Sequence, residues 1–148
     1  MTLLSQLFWG SVFLTICAVI HVLAIAMFTS YLTRLSEMLI HRGRFVRISA
    51  IVGAAFGMIT FSHTVQVWIW AKAFMLMGVI ADLNSALYFA LVTYSTVGYG
   101  DLTLGPGTRI FGTFAGVSGI LTLGVSTAIL VALLGRLLPR HEPSHHDS

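Results

Sequence analysis

The sequence predicts an all-α membrane protein with three transmembrane helices and one short re-entrant helix. Hydrophobic residues make up 57% of the 148-residue chain and charged residues only 9%, whereas soluble domains carry about 25% charged residues. The apolar stretches 7–32, 45–70 and 110–134 are long enough to cross a bilayer, which needs about 20 helical residues. A fourth stretch, 83–94, would reach only about 18 Å as a helix, so it can enter the membrane without crossing it.

The basic residues predict the orientation of these spans. Two of the eight, Lys72 and Arg109, lie on one side of the predicted membrane. The six on the other side are Arg34, Arg42, Arg44, Arg47, Arg136 and Arg140. We therefore expect a multi-pass protein of the cell (plasma or inner) membrane with its N-terminus outside and its C-terminus in the cytoplasm. Three tryptophans would then lie at the outer interface, where amphipathic rings are favoured: Trp9, Trp68 and Trp70.

The connection between the first two spans has two interpretations. Leu32, Leu35 and Met38 follow helical spacing and Gly43 suits a C-terminal cap, which would extend the first helix into the cytoplasm. We favour the simpler interpretation, a positively charged loop that fixes the topology. On the outer side, residues 71–81 are interpreted as an interfacial turn of helix.

The hexapeptide Thr-Val-Gly-Tyr-Gly-Asp at residues 96–101 follows the short helix. Non-helical backbone at membrane depth is tolerated only where it is buried in protein or lines a water-filled path. Its glycines alternate with Val97 and Tyr99, and glycine accepts the left-handed conformation that lets successive carbonyls point the same way. The segment therefore predicts a column of carbonyl oxygens, closed at the inner end by the Thr96 hydroxyl, of the kind that replaces the hydration shell of K⁺.

A ring of ligands around an ion needs four such segments, and each chain carries one. We therefore expect a homotetramer, in which each chain has three identical subunits as partners, K⁺ as the permeant ion and no cofactor. The short helix would direct the partial negative charge of its C-terminal end, near Thr93, towards the pore. Its N-terminal cap would be Asp82, Asn84 or Ser85.

These features resemble the pore domain of potassium channels, in particular small prokaryotic ones with an outer helix, a pore helix, a filter and an inner helix. The resemblance covers about residues 45–134 and is strongest over 86–101. It implies a potassium-selective channel that binds K⁺ through Thr96, Val97, Gly98, Tyr99 and Gly100. The pore domain would then lie between residues 1–44, an additional helix with a basic loop, and a short cytoplasmic tail at 135–148.

The resemblance also implies which residues support the filter. Tyr88 and Phe89 stand where the family has aromatic side chains that pack against the residue at Tyr99. In some members the first of these aromatics hydrogen-bonds the aspartate that matches Asp101. An interface tyrosine with water on its hydroxyl is an equally good interpretation of Tyr88.

One position departs from the family pattern. Some members place a glutamate one residue before the threonine that matches Thr93, and this chain has Val92 there. Asp101 therefore lacks a carboxylate partner, so regulation that depends on such a pair should be absent or altered.

In the inner helix, residues 119–124 resemble the hinge region of the family. Gly119 would be the bending point, and the apolar residues Val131 and Leu134 would narrow the cytoplasmic end as a gate. Small polar residues would lie near the central cavity: Thr122, Ser126 and Thr127. Alternatively, the glycines of this helix allow close packing, as small residues commonly do in membranes.

The first span is an addition to a two-span pore module. It has no repeated Arg or Lys, so we do not expect a voltage sensor, and we expect it to pack against the second span. His21 and His63 lie within spans, where ionisable residues are functional suspects. We favour the interpretation that both histidines are neutral and hydrogen-bonded to neighbours such as Ser62 and Gln66. The alternative interpretation is that they sense protons.

Several other functions are disfavoured. The basic residues form no stripe and interleave with no aromatic platform, which argues against nucleic-acid binding. No nucleophile, base and orienting group form a recognisable set, so an enzyme is not expected. A non-selective cation channel would usually alter the Gly-Tyr-Gly core, and a non-conducting assembly partner would not need an intact filter. The tail histidines His141, His145 and His146 are most simply solvated, and a ligand-sensing domain would need a separate regulatory subunit.

Overall fold

The computed structural model describes residues 1–137, which contain four helices and no strand. The helices are α1 (Leu3–Met38), α2 (Arg44–Leu76), α3 (Leu83–Tyr94) and α4 (Arg109–Leu137). α1, α2 and α4 are long and apolar enough to cross a membrane, whereas α3 has only 12 residues. The prediction of an all-α protein with three candidate spans is therefore confirmed. The tail histidines lie outside the described residues.

The connection between α1 and α2 is shorter than the positively charged loop that we expected between the first two spans. α1 continues to Met38, and its last turn closes with a 3.1 Å hydrogen bond from the Leu39 amide to the Leu35 carbonyl. The interpretation of this region as a loop is therefore wrong, because the apolar spacing does extend the helix. Gly43 is also not the cap of α1: its φ is −55°, and it precedes the first residue of α2.

α2 is also longer than predicted. It continues past residue 70 to Leu76, and Gly78 follows in the left-handed conformation with a φ of +64°. The apolar residues that we assigned to an interfacial turn thus form the last part of α2. At 33 residues the helix is about 50 Å long, so it exceeds the roughly 30 Å of hydrocarbon that it must cross.

An aromatic cluster forms the core where the three long helices meet. Trp70, Phe74 and Phe111 are fully buried, and their ring centroids lie 5.7 to 5.8 Å apart. The expectation that Trp70 lies at the membrane interface is therefore wrong, since its indole packs inside the protein. Trp9 and Trp68 do remain partly exposed.

α1 packs against α4 as well as against α2, which the sequence did not suggest. Its buried Gln6 side chain lies at the start of α4. There the Gln6 Oε1 atom accepts hydrogen bonds from the backbone amides of Ile110 and Phe111, at 3.1 and 3.3 Å. Amides in the first turn of a helix have no partner within that helix, so α1 supplies the cap that α4 lacks.

The last turn of α3 lies directly on the glycines of α4. A Cβ atom built on Gly116 would lie 3.3 Å from the Thr93 carbonyl oxygen. At Gly119 the clash would be severe, because a Cβ there would come within 1.9 Å of the Tyr94 carbonyl oxygen. These two glycines therefore allow the end of α3 to reach the backbone of α4. Gly124, on the same helix, has nothing within 4 Å of its Cβ position.

This packing predicts opposite effects of two alanine substitutions in α4. Gly119→Ala should destabilise the protein. Overpacking against a backbone carbonyl costs about 1–3 kcal/mol, which exceeds the gain in helix propensity. Gly124→Ala should stabilise it by up to about 1 kcal/mol, since only the propensity changes. Thermal unfolding of both variants in detergent measures the difference, and equal shifts of the midpoint would contradict this description of the α3–α4 contact.

Candidate functional site

The segment after α3 has an alternating backbone. Thr96, Gly98 and Gly100 have positive φ angles of 61°, 56° and 78°, whereas the intervening Val97 and Tyr99 do not. The left-handed conformation of the two glycines is the one expected from the sequence. The same conformation at Thr96 was not expected, because a β-branched residue rarely adopts it. The alternation along the sequence could have predicted the conformation of Thr96, since Thr96, Gly98 and Gly100 occupy every second position.

Hydrogen bonds to the end of α3 hold the first part of this segment. The Thr96 amide donates to the Thr93 carbonyl at 3.0 Å. The amides of Val97 and Gly98 both donate to the Val92 carbonyl, at 3.0 and 3.3 Å. The amides of residues 96–98 are therefore bonded back onto the end of α3.

The carbonyl side of the segment is free. Within residues 1–137, no backbone or side-chain donor bonds to the carbonyl oxygens of residues 96–100. The segment is exposed in the single chain, with the Val97 side chain 51% and the Tyr99 side chain 72% accessible. Backbone carbonyls are obligatory hydrogen-bonding groups, so these oxygens need water, a cation or both.

Asp101 at the end of the segment is held by Tyr88 of α3. The Tyr88 hydroxyl donates to Asp101 Oδ2 at 2.5 Å, and Oδ1 accepts from the Leu102 amide at 2.9 Å. Tyr88 therefore bonds directly to Asp101, which was one of the two interpretations of this residue; the other was an interface tyrosine with water on its hydroxyl. The Tyr88 hydroxyl, with a smaller contribution from the Leu102 amide, lowers the pKa of the Asp101 carboxyl, because both bonds favour its ionised form.

Phe89 and Thr93 lie on the side of α3 that faces the rest of the chain. The Phe89 ring packs edge-on against Phe74 of α2, with centroids 5.1 Å apart, and also lies near Gly112 of α4. Asp82 caps the other end of α3, where its carboxylate accepts from the Ser85 amide at 2.8 Å. α3 is thus fixed at both ends and along one side, which positions the segment that follows it.

The inner-helix residues lie differently from the expectation. Thr122 and Ser126 are buried among side chains of their own chain, so they do not face a central cavity. The reason is that each hydroxyl bonds to another polar side chain of the same subunit, as described below. Thr127 is exposed and bonds to the Leu123 carbonyl. At the far end of α4, Val131 is exposed and Leu134 half-buried, and their role as a gate stays a prediction.

A polar cluster joins all four helices, and all of its members are buried except the half-buried His63. His21 of α1 lies with its ring centroid 5.3 Å from that of His63 of α2. The His21 Nδ1 atom is 3.0 Å from the Ser62 hydroxyl and 3.2 Å from the Gln66 Nε2 atom. Ser126 of α4 bridges the two rings, since its hydroxyl lies 3.2 Å from His21 Nε2 and 3.0 Å from His63 Nε2.

The cluster continues to the end of α3. The His63 Nδ1 atom is 2.7 Å from the Tyr94 hydroxyl, which in turn is 2.7 Å from the Thr122 hydroxyl. Tyr94 is the last residue of α3 and lies two positions before Thr96. Sequence reasoning identified both histidines but missed Tyr94. Its place at the boundary between α3 and residues 96–101 was the available signal.

Comparison with known proteins identifies the class of protein. A family model described as "Ion channel" matches residues 59–136, more than half of the chain. The chain therefore belongs to this ion channel family. The matched region contains much of α2, all of α3, the segment with the free carbonyls and nearly all of α4, whereas α1 lies outside it. Neither the curated proteins nor the solved structures include a significant match.

The bond between Tyr88 and Asp101 predicts a change in acidity. Tyr88→Phe removes the hydroxyl that stabilises the carboxylate, so the pKa of Asp101 should rise towards its ordinary value. Because the folded-state pKa is lowered, the bond stabilises the native state above the unfolded pKa, and this contribution is lost as the pH falls through the folded pKa. NMR titration of the aspartate carboxyl carbons measures the change. Tyr31→Phe, on the exposed part of α1, is the control, and an unchanged Asp101 pKa in Tyr88→Phe would contradict the assignment.

Proposed function

We propose that this ion channel is selective for potassium and conducts K⁺ passively through four copies of residues 96–100 arranged around one axis. The observation that carries the proposal is the alternating backbone of this segment: the amides of residues 96–98 bond back to α3, and no donor within residues 1–137 bonds to the carbonyl oxygens of residues 96–100. K⁺ is the permeant ion, and the ligands are backbone oxygens together with the Thr96 hydroxyl.

Free carbonyl oxygens suit the transfer of a cation out of water. Carbonyl dipoles can replace the hydration shell of K⁺, and a row of them offers successive sites between which the ion can move. A single side-chain carboxylate at the same place would hold a cation more tightly and slow its release. The exposed row in the single chain is therefore better suited to conduction than to permanent binding.

Four subunits are needed to complete each site. One chain offers a single row of oxygens, which surrounds an ion on one side only. The exposed apolar side chains of α4, such as Ile120 and Leu121, are in keeping with contacts to other copies or to lipid. We therefore propose a homotetramer in the cell membrane, with the N-terminus outside, in which α3 enters the membrane from the outer side without crossing it.

A non-selective cation channel is the second candidate. A row of free carbonyl oxygens in the single chain would suit either a selective or a non-selective channel. The difference lies in how rigidly the carbonyl ring keeps its size and geometry. The hydrogen bonds of Val97 and Gly98 to Val92, and of Tyr88 to Asp101, brace the segment at both ends. Such bracing favours a ring of fixed geometry, and hence selectivity.

Purified protein in a planar bilayer tests the proposed function directly. With K⁺ on one side and Na⁺ on the other, the reversal potential should lie close to the value for a membrane permeable to K⁺ alone. Native mass measurement in mild detergent should give a complex of four 16.1-kDa chains. A reversal potential near zero, or a conducting monomer or dimer, would contradict the proposal.

A matched pair of glycine variants tests whether the backbone conformation carries selectivity. Gly98 and Gly105 both have open space around their Cβ positions, but only Gly98 has a positive φ. Gly98→Ala should therefore strain the segment by about 1–2 kcal/mol and reduce the preference for K⁺ over Na⁺. Gly105→Ala should leave the reversal potential unchanged. Equal behaviour of the two variants would place selectivity elsewhere.

A further inference from the structure

The hydroxyl groups of the cluster give a self-consistent assignment of the proton positions on both histidines. The Thr122 hydroxyl is 2.8 Å from the Ser118 carbonyl, and when it donates its one hydrogen there, Tyr94 donates to Thr122. The Tyr94 hydroxyl has one hydrogen, and it can therefore only accept from His63. His63 thus carries its proton on Nδ1, and its bare Nε2 atom accepts from the Ser126 hydroxyl.

The same reasoning continues to α1. Ser126 has used its hydrogen on His63, so it accepts from His21, whose proton must lie on Nε2. The lone pair of His21 Nδ1 then accepts from the Ser62 hydroxyl at 3.0 Å, and the Gln66 Nε2 atom lies 3.2 Å from the same nitrogen. In this assignment both rings are neutral, they are opposite tautomers, and each hydroxyl hydrogen is used once. The result is one directed chain of hydrogen bonds from α1 to the end of α3.

One atom in the cluster is left without a partner. Gln66 is fully buried, and its Oε1 atom has no hydrogen bond within the described part of the chain. A half-turn of the Gln66 amide would place this oxygen where its Nε2 atom now lies, 3.2 Å from His21 Nδ1. That oxygen could then accept from a protonated Nδ1, so the cluster contains an unused acceptor beside a ring that can gain a proton.

A proton gained at His21 need not stay there. The His21 Nε2–H hydrogen can pass to Ser126 while the Ser126 hydrogen passes to His63 Nε2, which conserves every hydrogen and moves the positive charge to His63. The charge then lies beside Tyr94, at the C-terminal end of α3. Helix C-termini carry partial negative charge that favours cations, so a positive charge placed there would cancel part of the attraction for a permeant cation.

Every hydrogen-bond partner of the two rings within the described residues is an uncharged side chain. The titratable groups that face the pair are the Cys17 thiol on α1, one turn from His21, and the Tyr94 hydroxyl on α3. Among the side chains that face the pair, α2 adds no titratable group besides His63 and α4 adds hydroxyls, while the Arg136 guanidinium of α4 lies at the far end of the adjoining cavity. The pair is not sealed off, because His21 and Ser126 line one end of a cavity of about 230 Å³ that extends to Arg136 at the far end of α4.

We propose that His21 and His63 form one intramembrane proton-binding site, shared by the relay through Ser126 and coupled to the filter through Tyr94, so that proton uptake reduces conduction. The inference rests on the proposed channel function for its effect on current. It makes α1, which lies outside the matched family region, a regulatory part of the pore.

Imidazole NMR of protein labelled with ¹⁵N at histidine tests the site without any current. At pH 8 the spectrum should show His63 protonated at Nδ1 and His21 at Nε2, and acidification should convert one ring of the pair to the cation. Tyr94→Phe removes the acceptor of the Nδ1 proton and should change the tautomer of His63 while leaving exposed His41 unchanged. Identical tautomers at pH 8, or no titration down to pH 5, would overturn the proposal.

Bilayer currents test the coupling. Wild-type K⁺ current should fall severalfold between pH 8 and pH 5, and His63→Gln, which retains a donor and an acceptor but cannot titrate, should lose this dependence. His41→Gln in the short α1–α2 connection is the matched control and should keep it. A pH-independent wild-type current, or equal pH dependence in His63→Gln, would overturn the coupling. Failure of the channel function is distinct, because it would appear as absence of K⁺ selectivity at every pH.

Discussion

The hydrogen bonds from the Val97 and Gly98 amides to the Val92 carbonyl are the contacts on which the functional segment depends. They commit the amides of Val97 and Gly98 to the end of α3, whereas no donor within the described residues bonds to the carbonyl oxygens of residues 96–100. Because backbone carbonyls are obligatory hydrogen-bonding groups, this division of donors and acceptors creates a demand for a cation or water. The positive φ angles at alternate residues are the geometric requirement for the same arrangement.

The rest of the structure keeps the end of α3 in place. Gly116 and Gly119 let the last carbonyls of α3 touch the backbone of α4, and Gln6 of α1 caps the start of α4. Gly119 therefore has a packing role whether or not it also serves as a hinge. The histidine cluster adds a polar connection among the four helices at the level of Tyr94. α1 thus takes part in the support of the pore region, although the match to the ion channel family does not include it.

The features that depend on local sequence were predictable. Apolar length identified the three spans, the 12-residue limit identified α3, and glycine alternation identified the left-handed positions. Features that depend on which helices become neighbours were not. Trp70 was assigned to the interface because an aromatic ring at a span end suits it, yet tertiary packing buries that ring. Thr122 and Ser126 were assigned to a cavity because they are polar on an apolar helix, but their partners come from three other helices.

Crystallography with Rb⁺ in place of K⁺ is the most direct test of the central claim, because Rb⁺ is located by its anomalous scattering. We expect a line of Rb⁺ peaks along the axis shared by four chains, each peak surrounded by carbonyl oxygens of residues 96–100, with the Val97 and Gly98 amides still bonded to Val92. Rb⁺ peaks away from this segment, or carbonyl oxygens of residues 96–100 bonded to protein donors, would contradict the claim that these oxygens conduct the ion.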